Sequence, residues 1–285
     1  MVASTTVLFP PPTPASITIP ATSSGTVVVS WAASATATSY TLQHADYGVT
    51  GWSNVYSGSA TSYTQHETVT GAWIYQVQAC NASGCSAFLV SSGGTLVTIP
   101  PASTPSLSVP ASNHSGSYAV SWGSVGGATS YPLQEQVNGG GWSTIQSSSA
   151  TSLAIGGKGN GSYGYRVQAC NVGGCGPWSA TGTVAVTLPP APPSTVTAPS
   201  YVHGVTYYVT WSASAGATSY NVQKTNYSLG TTTIVATTSA TSATMPGPRS
   251  SESLLYAVQA CSAAGCSAFT NAGNGTQTDP PGPIQ

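Results

Sequence analysis

The sequence predicts an all-β protein built as three tandem, seven-stranded sandwiches, and three observations carry that prediction. The stretch Tyr75–Cys85 (YQVQACNASGC) returns as Tyr165–Cys175 (YRVQACNVGGC) and as Tyr256–Cys266 (YAVQACSAAGC), so a unit recurs about every 90 residues. Its Tyr, Val and Ala alternate with Gln and Cys, the period-2 pattern of a half-buried strand, and Asn-x-x-Gly reads as the turn that closes it. Between the copies lie short alternating runs and Pro-rich joints, with no apolar repeat at helical spacing.

The first repeat opens on Pro10-Pro11-Pro12-Thr13-Pro14, a stiff extended lead-in. Ser16–Pro20 is a short first strand whose prolines suit an edge, where an N–H need not be donated. Thr26–Trp31 is the second strand, with Val27, Val29 and Trp31 on one face. Nine residues after Trp31, Tyr40-Thr41-Leu42-Gln43 makes a third strand with Tyr40 and Leu42 inward. Gly51–Tyr56 is a fourth, Ala60–Thr64 a fifth, and the signature from Trp73 a sixth. The seventh lies within Gly84–Pro100 and ends in Leu96–Pro100.

The other repeats follow the same plan. Tyr118–Trp122 and Tyr207–Trp211 are second strands; Tyr131–Gln134 and Tyr220–Gln223 are third strands, again nine residues beyond the tryptophan. The link between fifth and sixth strands diverges most (His66–Thr68, Gly156–Gly161, Pro246–Glu252), which reads as surface loop. Pro100–Pro105 and Pro189–Pro193 form the joints, semi-rigid spacers by composition. The expected organisation is a lead-in over 1–10, domains over 11–100, 101–189 and 190–279, and the start of a further linker over 280–285. Three beads in an elongated rod is the expected shape.

Composition narrows the function. Charged residues are 3% of the chain against roughly a quarter in ordinary globular domains, so Ser, Thr, Gly, Asn and Gln must build the surface. The four basic residues, Lys158, Arg166, Lys224 and Arg249, are scattered, and phosphate-neutralising contacts with nucleic acid or anionic membranes are not expected. No run of 18 apolar residues occurs, so no helical membrane span is expected. Low charge also predicts a stability that responds weakly to salt.

The six cysteines form three pairs, Cys80/Cys85, Cys170/Cys175 and Cys261/Cys266. Zinc sites usually want four ligands at closer spacings, and no repeat adds a paired His, so a local disulfide is favoured over free thiols or a metal. Each bridge is worth about 2 kcal/mol by the loop-entropy relation and points to an oxidising compartment, extracellular, cell-surface or periplasmic. The N-terminus lacks the basic region and apolar core of a signal peptide, which suggests a piece of a longer exported protein or another export route.

The order of a proline-rich first strand, V-x-V-x-W, S-Y-x-L-Q, G-x-W-x-x-V and Y-x-V-x-A-x-N-x-x-G resembles fibronectin type III, three times over nearly the whole chain. The added Cys-x4-Cys resembles variants in large secreted or surface bacterial proteins, including RHS-type repeat proteins and some exported hydrolases. The resemblance implies two facing sheets, strands one, two and five against strands three, four, six and seven. It also implies that Tyr75, Tyr165 and Tyr256 are corner tyrosines whose hydroxyls bond the backbone of the preceding loop. The chain departs from the family in carrying a disulfide, and it lacks an Arg-Gly-Asp tripeptide. With Tyr75, Val77 and Ala79 inward, Gln76, Gln78 and Cys80 face outward beside Gln43. Outer-face glutamine pairs are therefore expected, with Gln134 opposite Gln168 and Gln223 opposite Gln259. The disulfides should clip the hairpin on that same face.

Candidate functional residues are few. Trp31, Trp122 and Trp211 read as core. Trp52 and Trp142, on the fourth strand, could stack on sugar rings, although packing is the favoured role and the third repeat has no Trp there. Trp73 and Trp178 read as unrepeated and could be surface contacts. His44, His66, His114 and His203 are dispersed, and His44 aligns with Glu135 and Lys224, a position expected to be solvated. Asp46, Glu67, Glu135, Glu252 and Asp279 show no repeated paired spacing for glycosidase chemistry, and no Gly-x-Ser-x-Gly elbow sits in an α/β pattern. No cofactor, metal or catalysis is expected. Sequons stand at Asn81, Asn113, Asn160, Asn226 and Asn274. The expected role is a non-catalytic spacer or adhesive array whose partners are other domains of the same longer chain, a protein or polysaccharide surface, or further copies. The alternatives are an accessory carbohydrate-binding segment of a secreted hydrolase and a virion or filament component.

Overall fold

The computed structural model describes residues 8–49 and 51–282. Positions 1–7 of the expected lead-in and 283–285 of the expected linker start lie outside them. Every regular element among the described residues is a strand. The first unit contains β1 (Ile17–Thr18), β2 (Thr22–Ser23), β3 (Thr26–Trp31), β4 (Ser39–Asp46), β5 (Ser53–Gly58), β6 (Ser62–His66), β7 (Gly71–Asn81), β8 (Gly84–Cys85), β9 (Leu89–Val90) and β10 (Thr95–Val97). One sheet has the order β1-β3-β6. The other runs β2-β10-β7-β4-β5, with β8 and β9 paired to β7.

The second unit repeats this with β11 (Leu107–Ser108), β12 (Ser112–Asn113), β13 (Tyr118–Trp122), β14 (Tyr131–Val137), β15 (Trp142–Ser148), β16 (Ser152–Ile155), β17 (Gly161–Val167), β18 (Cys170–Asn171), β19 (Gly174–Cys175) and β20 (Gly182–Val186). The third has β21 (Val196–Thr197), β22 (Tyr201–His203), β23 (Tyr207–Trp211), β24 (Ser219–Asn226), β25 (Thr231–Thr238), β26 (Ser242–Met245), β27 (Glu252–Ser262), β28 (Gly265–Cys266), β29 (Thr270–Asn271) and β30 (Thr276–Asp279). The chain is thus an all-β series of immunoglobulin-like sandwiches.

The expected first strand is two strands. Residues 17–18 pair antiparallel with β3, and residues 22–23 pair parallel with β10 in the opposite sheet. Pro20 lies at the crossing, where the missing N–H interrupts one ladder. Its carbonyl accepts the Thr95 hydroxyl, which ties the crossing to the seventh strand at 2.6 Å. The fourth strand of the third unit, β25, is eight residues long and had no clear signature in the sequence.

The core is the alternation made physical. Val27, Val29 and Trp31 from one sheet meet Leu42, Tyr75, Val77 and Ala79 from the other. Equivalent clusters fill the second and third units. Each fully buried Val or Leu contributes about 1.5–3 kcal/mol. The fixed Trp-to-Tyr interval also has a cause: the hydroxyls of Tyr40, Tyr131 and Tyr220 accept the N–H of Ser34, Val125 and Ser214, six residues earlier.

The glutamine pairing needs correction. Inward neighbours set the ladder, with Leu42 opposite Val77, Leu133 opposite Val167 and Val222 opposite Val258. That register places Gln43 opposite Gln76, and they bond at 2.6 Å. It places Gln134 opposite Arg166, however, and Gln223 opposite Ala257. Gln168 bonds through its backbone to Pro132, and Gln259 stands opposite Asn221. Those two expected pairs are two residues out of register, although the outward face is right.

Candidate functional site

Each cysteine pair closes a disulfide within its own hairpin: Cys80–Cys85, Cys170–Cys175 and Cys261–Cys266. The bonded residues are direct ladder partners and lie outside the clusters between the sheets, although Cys170 and Cys261 are themselves buried. The turn needs the glycine that follows, since Gly84, Gly174 and Gly265 hold φ between +121° and +132°.

These clipped turns grip the chain that enters their own unit. Asn81 Nδ2 donates to the Phe9 carbonyl at 2.8 Å, and Ser83 Oγ to the Leu8 carbonyl at 2.6 Å. In the second unit Asn171 Nδ2 donates to the Ile99 carbonyl at 2.9 Å. A Cβ added at Gly173 would fall on the Thr98 carbonyl, so only glycine lets the linker lie this close. In both units the same amide also reaches the turn after the second strand, at Thr36 and Gly127. The third unit has Ser262 in place of the asparagine, and its Oγ accepts from Ala264 within the turn.

The tryptophans divide by role. Trp31, Trp122 and Trp211 are buried. Trp52 is half-buried just ahead of β5, and Trp142 opens β15. The Trp142 ring carries the Arg166 guanidinium at 4.4 Å, and Trp178 stacks on that cation at 4.5 Å. Arg166 also donates twice to Gln134 Oε1. Trp142 therefore spends a face on an internal cation–π stack. The position of Trp178 does recur, as Phe88 and Phe269, three residues past the second cysteine.

The corner assignment shifts by two residues. Trp73 Nε1 donates to the Val69 carbonyl and Tyr163 Oη to the Gly159 carbonyl, both four residues back, while the third unit has Leu254 there. Tyr75, Tyr165 and Tyr256 bond side chains instead. Strand parity puts both positions inward, but only the one nearer the loop can reach loop backbone.

What the three signature tyrosines reach is a buried polar site. Tyr75 Oη donates to Glu67 Oε1 at 2.8 Å, and His44 Nδ1 meets the same oxygen at 2.7 Å. The Trp73 ring stacks on His44 at 4.9 Å, which makes Trp73 a wall of the site and no free surface contact. Tyr165 Oη donates to Glu135 Oε2 at 2.7 Å, Lys158 Nζ pairs with that carboxylate, and Tyr118 Oη meets Tyr165 Oη at 2.8 Å. Tyr207 and Tyr256 join hydroxyls at 2.6 Å. Burial, foremost, pushes the hydroxyls of Tyr75, Tyr165 and Tyr256 far above the ordinary tyrosine range, and the carboxylate or hydroxyl beside each adds to it.

Two expectations change here. His44 and Glu135 share the inward face of Tyr40 and Leu42 and are engaged in pairs, so the position is not simply solvated. The divergent link is likewise more than surface loop, since Glu67 is 6% exposed and Lys158 reaches inward to Glu135. The acid comes from the link in the first unit and from the third strand in the second, with the base in the opposite place. The missed signal was the scarcity of charge. Glu67, Glu135, Lys158, Lys224, Arg249 and Glu252, six of the nine basic and acidic residues, come from the third strand or the divergent link of the three units. In the first two units such a pair satisfies the tyrosine hydroxyl between the sheets.

No family model matches the sequence, and the curated proteins hold no match. Among solved structures, the chain is similar to a crystal structure of chicken CNTN1 FN1–FN3 domains, at 16% identity and a TM-score of 0.34. The alignment covers 95% of this chain and 99% of that one.

Proposed function

We propose that this chain is a non-catalytic extracellular spacer and adhesive array of three fibronectin type III-like domains, part of a longer exported protein. The observation that carries the reading is the grip of each of the first two disulfide-clipped turns on its own incoming linker. A spacer must resist bending at its joints, and the Asn81 and Asn171 bonds supply local resistance that proline composition alone would not. The three disulfides support an oxidising compartment. The domain limits of 11–100, 101–189 and 190–279 belong to this reading.

Small-angle scattering of the purified chain tests it. A rod of three such units, each about 35 Å long, has a radius of gyration of about 30 Å, whereas a compact globule of this length has about 19 Å. A value near the smaller figure ends the spacer reading.

One observation favours a second reading, self-association into fibres. β25 is an outer edge strand without a charge, and it exposes Ile234 and Val235. Unguarded edges of this kind template strand addition. Concentration-dependent sedimentation that Ile234→Lys abolishes would support it, and a monomer at every concentration would remove it.

A further inference from the structure

We propose that the third unit binds a small organic carboxylate between its sheets, in the place that Glu67 and Glu135 occupy in the other two. In the first two units the signature tyrosine hydroxyl donates a hydrogen bond to a carboxylate of the chain, and a cationic or imidazole partner closes the site. In the third unit the position of His44 and Glu135 is Lys224. Tyr207 and Tyr256 carry two hydroxyl protons and use one on each other. The second has no acceptor among the described residues, although Tyr256 is 1% exposed and Tyr207 8%. Neither Lys224 nor Arg249 forms an ion pair among those residues.

The groups that would hold an acid thus remain, and around them lies a cavity of about 520 Å³. Tyr207, Lys224, Arg249 and Tyr256 line it as donors, with Met245 and Leu254 as an apolar floor. That volume falls in the range of small-molecule sites. A carboxylate is an acceptor-only group with two oxygens, so it can accept hydrogen bonds from the spare tyrosine hydroxyl and the Lys224 ammonium together. This repeats the Tyr165–Glu135–Lys158 arrangement with the acid supplied from outside. The apolar floor then selects an acid with an uncharged body over an inorganic anion.

Glu252 is the internal competitor. It also lines the cavity, but its carboxylate accepts from Ser250 Oγ at 3.0 Å and bonds neither tyrosine. Its charge leaves the pocket with two cations against one anion.

The test is a titration of the full ¹⁵N-labelled chain with benzoate, hexanoate and glucuronate, with benzamide and sulfate as controls. At least one acid should give saturable shifts at the amides around Lys224 and Tyr256, with a dissociation constant on the order of a millimolar. The matching amides near Tyr75 and Tyr165, already satisfied, should stay still. Lys224→Met should remove saturation, and Tyr256→Phe, which keeps the packing, should weaken it about tenfold. Glu252→Gln should leave binding intact or tighten it. The proposal is overturned if none of the three acids shifts these amides up to about 100 mM, or if benzamide or sulfate matches the best acid. Retention of binding by Lys224→Met overturns it too. So does a loss of thermal stability in Glu252→Gln as large as that in Glu135→Gln, which would make Glu252 the native partner.

Discussion

Thr36 holds φ at +62°, a left-handed conformation that a β-branched residue adopts at a cost of about 1–2 kcal/mol. Its counterparts are Gly127 at +75° and Gly216 at +77°, where the same turn is free of strain. The Asn81 amide bonds the Thr36 backbone carbonyl, so substitution need not disturb that contact. Thr36→Gly should therefore stabilise the first unit by about 0.5–1 kcal/mol, less than the strain because glycine gains freedom when unfolded. Urea unfolding checks it, and a destabilised variant would mean the turn is unstrained. The buried tyrosines give a second prediction. Their hydroxyls keep the proton past pH 10, where unfolded tyrosine ionises, so the unfolded state binds fewer protons there. Stability should be intact below about pH 9 and fall as pH rises beyond 10, by up to about 1.4 kcal/mol per pH unit for each tyrosine. Urea midpoints that stay flat from pH 9 to 11.5 would contradict it.

At the level of elements, the clipped hairpin joins two tasks that are separable by mutation. Cys80→Ser with Cys85→Ser should cost the first unit about 2 kcal/mol, the loop-entropy value for so short a ring, without moving the strands. Asn171→Ala should instead cost about 1 kcal/mol and act mainly at the joint, raising amide mobility over residues 98–101 in heteronuclear NOE measurements. Equal mobility in wild type and variant would show that the linker is held by proline stiffness alone. The hairpin itself was legible because Cys and Gly recur in a fixed frame. The hold on the linker was not, because its acceptors are backbone carbonyls of residues some 70 positions away. The crossing at Pro20 was hidden for a similar reason: two-residue strands leave too little alternation to reveal which sheet they join.

For the molecule as a whole, six of the nine Asp, Glu, Lys and Arg residues gather about the three signature tyrosines, and few charges are left for the rest of the surface. Screening acts on exposed charges far more than on enclosed pairs. The melting temperature should therefore change little between low and about 0.5 M sodium chloride, and a fall of several degrees would reveal surface electrostatics that the ion pairs do not account for. Acid is the condition more apt to reach the exterior. The Asp279 carboxyl is held below its usual range by hydrogen bonds from Ser251, first, and Tyr201. Its contribution is present above the unfolded value near 3.9 and is lost as pH falls through the lowered one.

By itself the sequence determined the fold class, the repeat and its period, the inward face of nearly every long strand, and the cysteine partners. Each of these is written in local order, as alternation or as spacing within one hairpin. Only the tertiary structure decided which side chains meet across the sheets. Register joined Gln134 to Arg166, and a divergent link returned Glu67 and Lys158 to the tyrosines, where they pair with His44 and Glu135. Those contacts depend on the ladder offset between strands some 30 residues apart. A shift of two residues keeps the outward face and changes every partner.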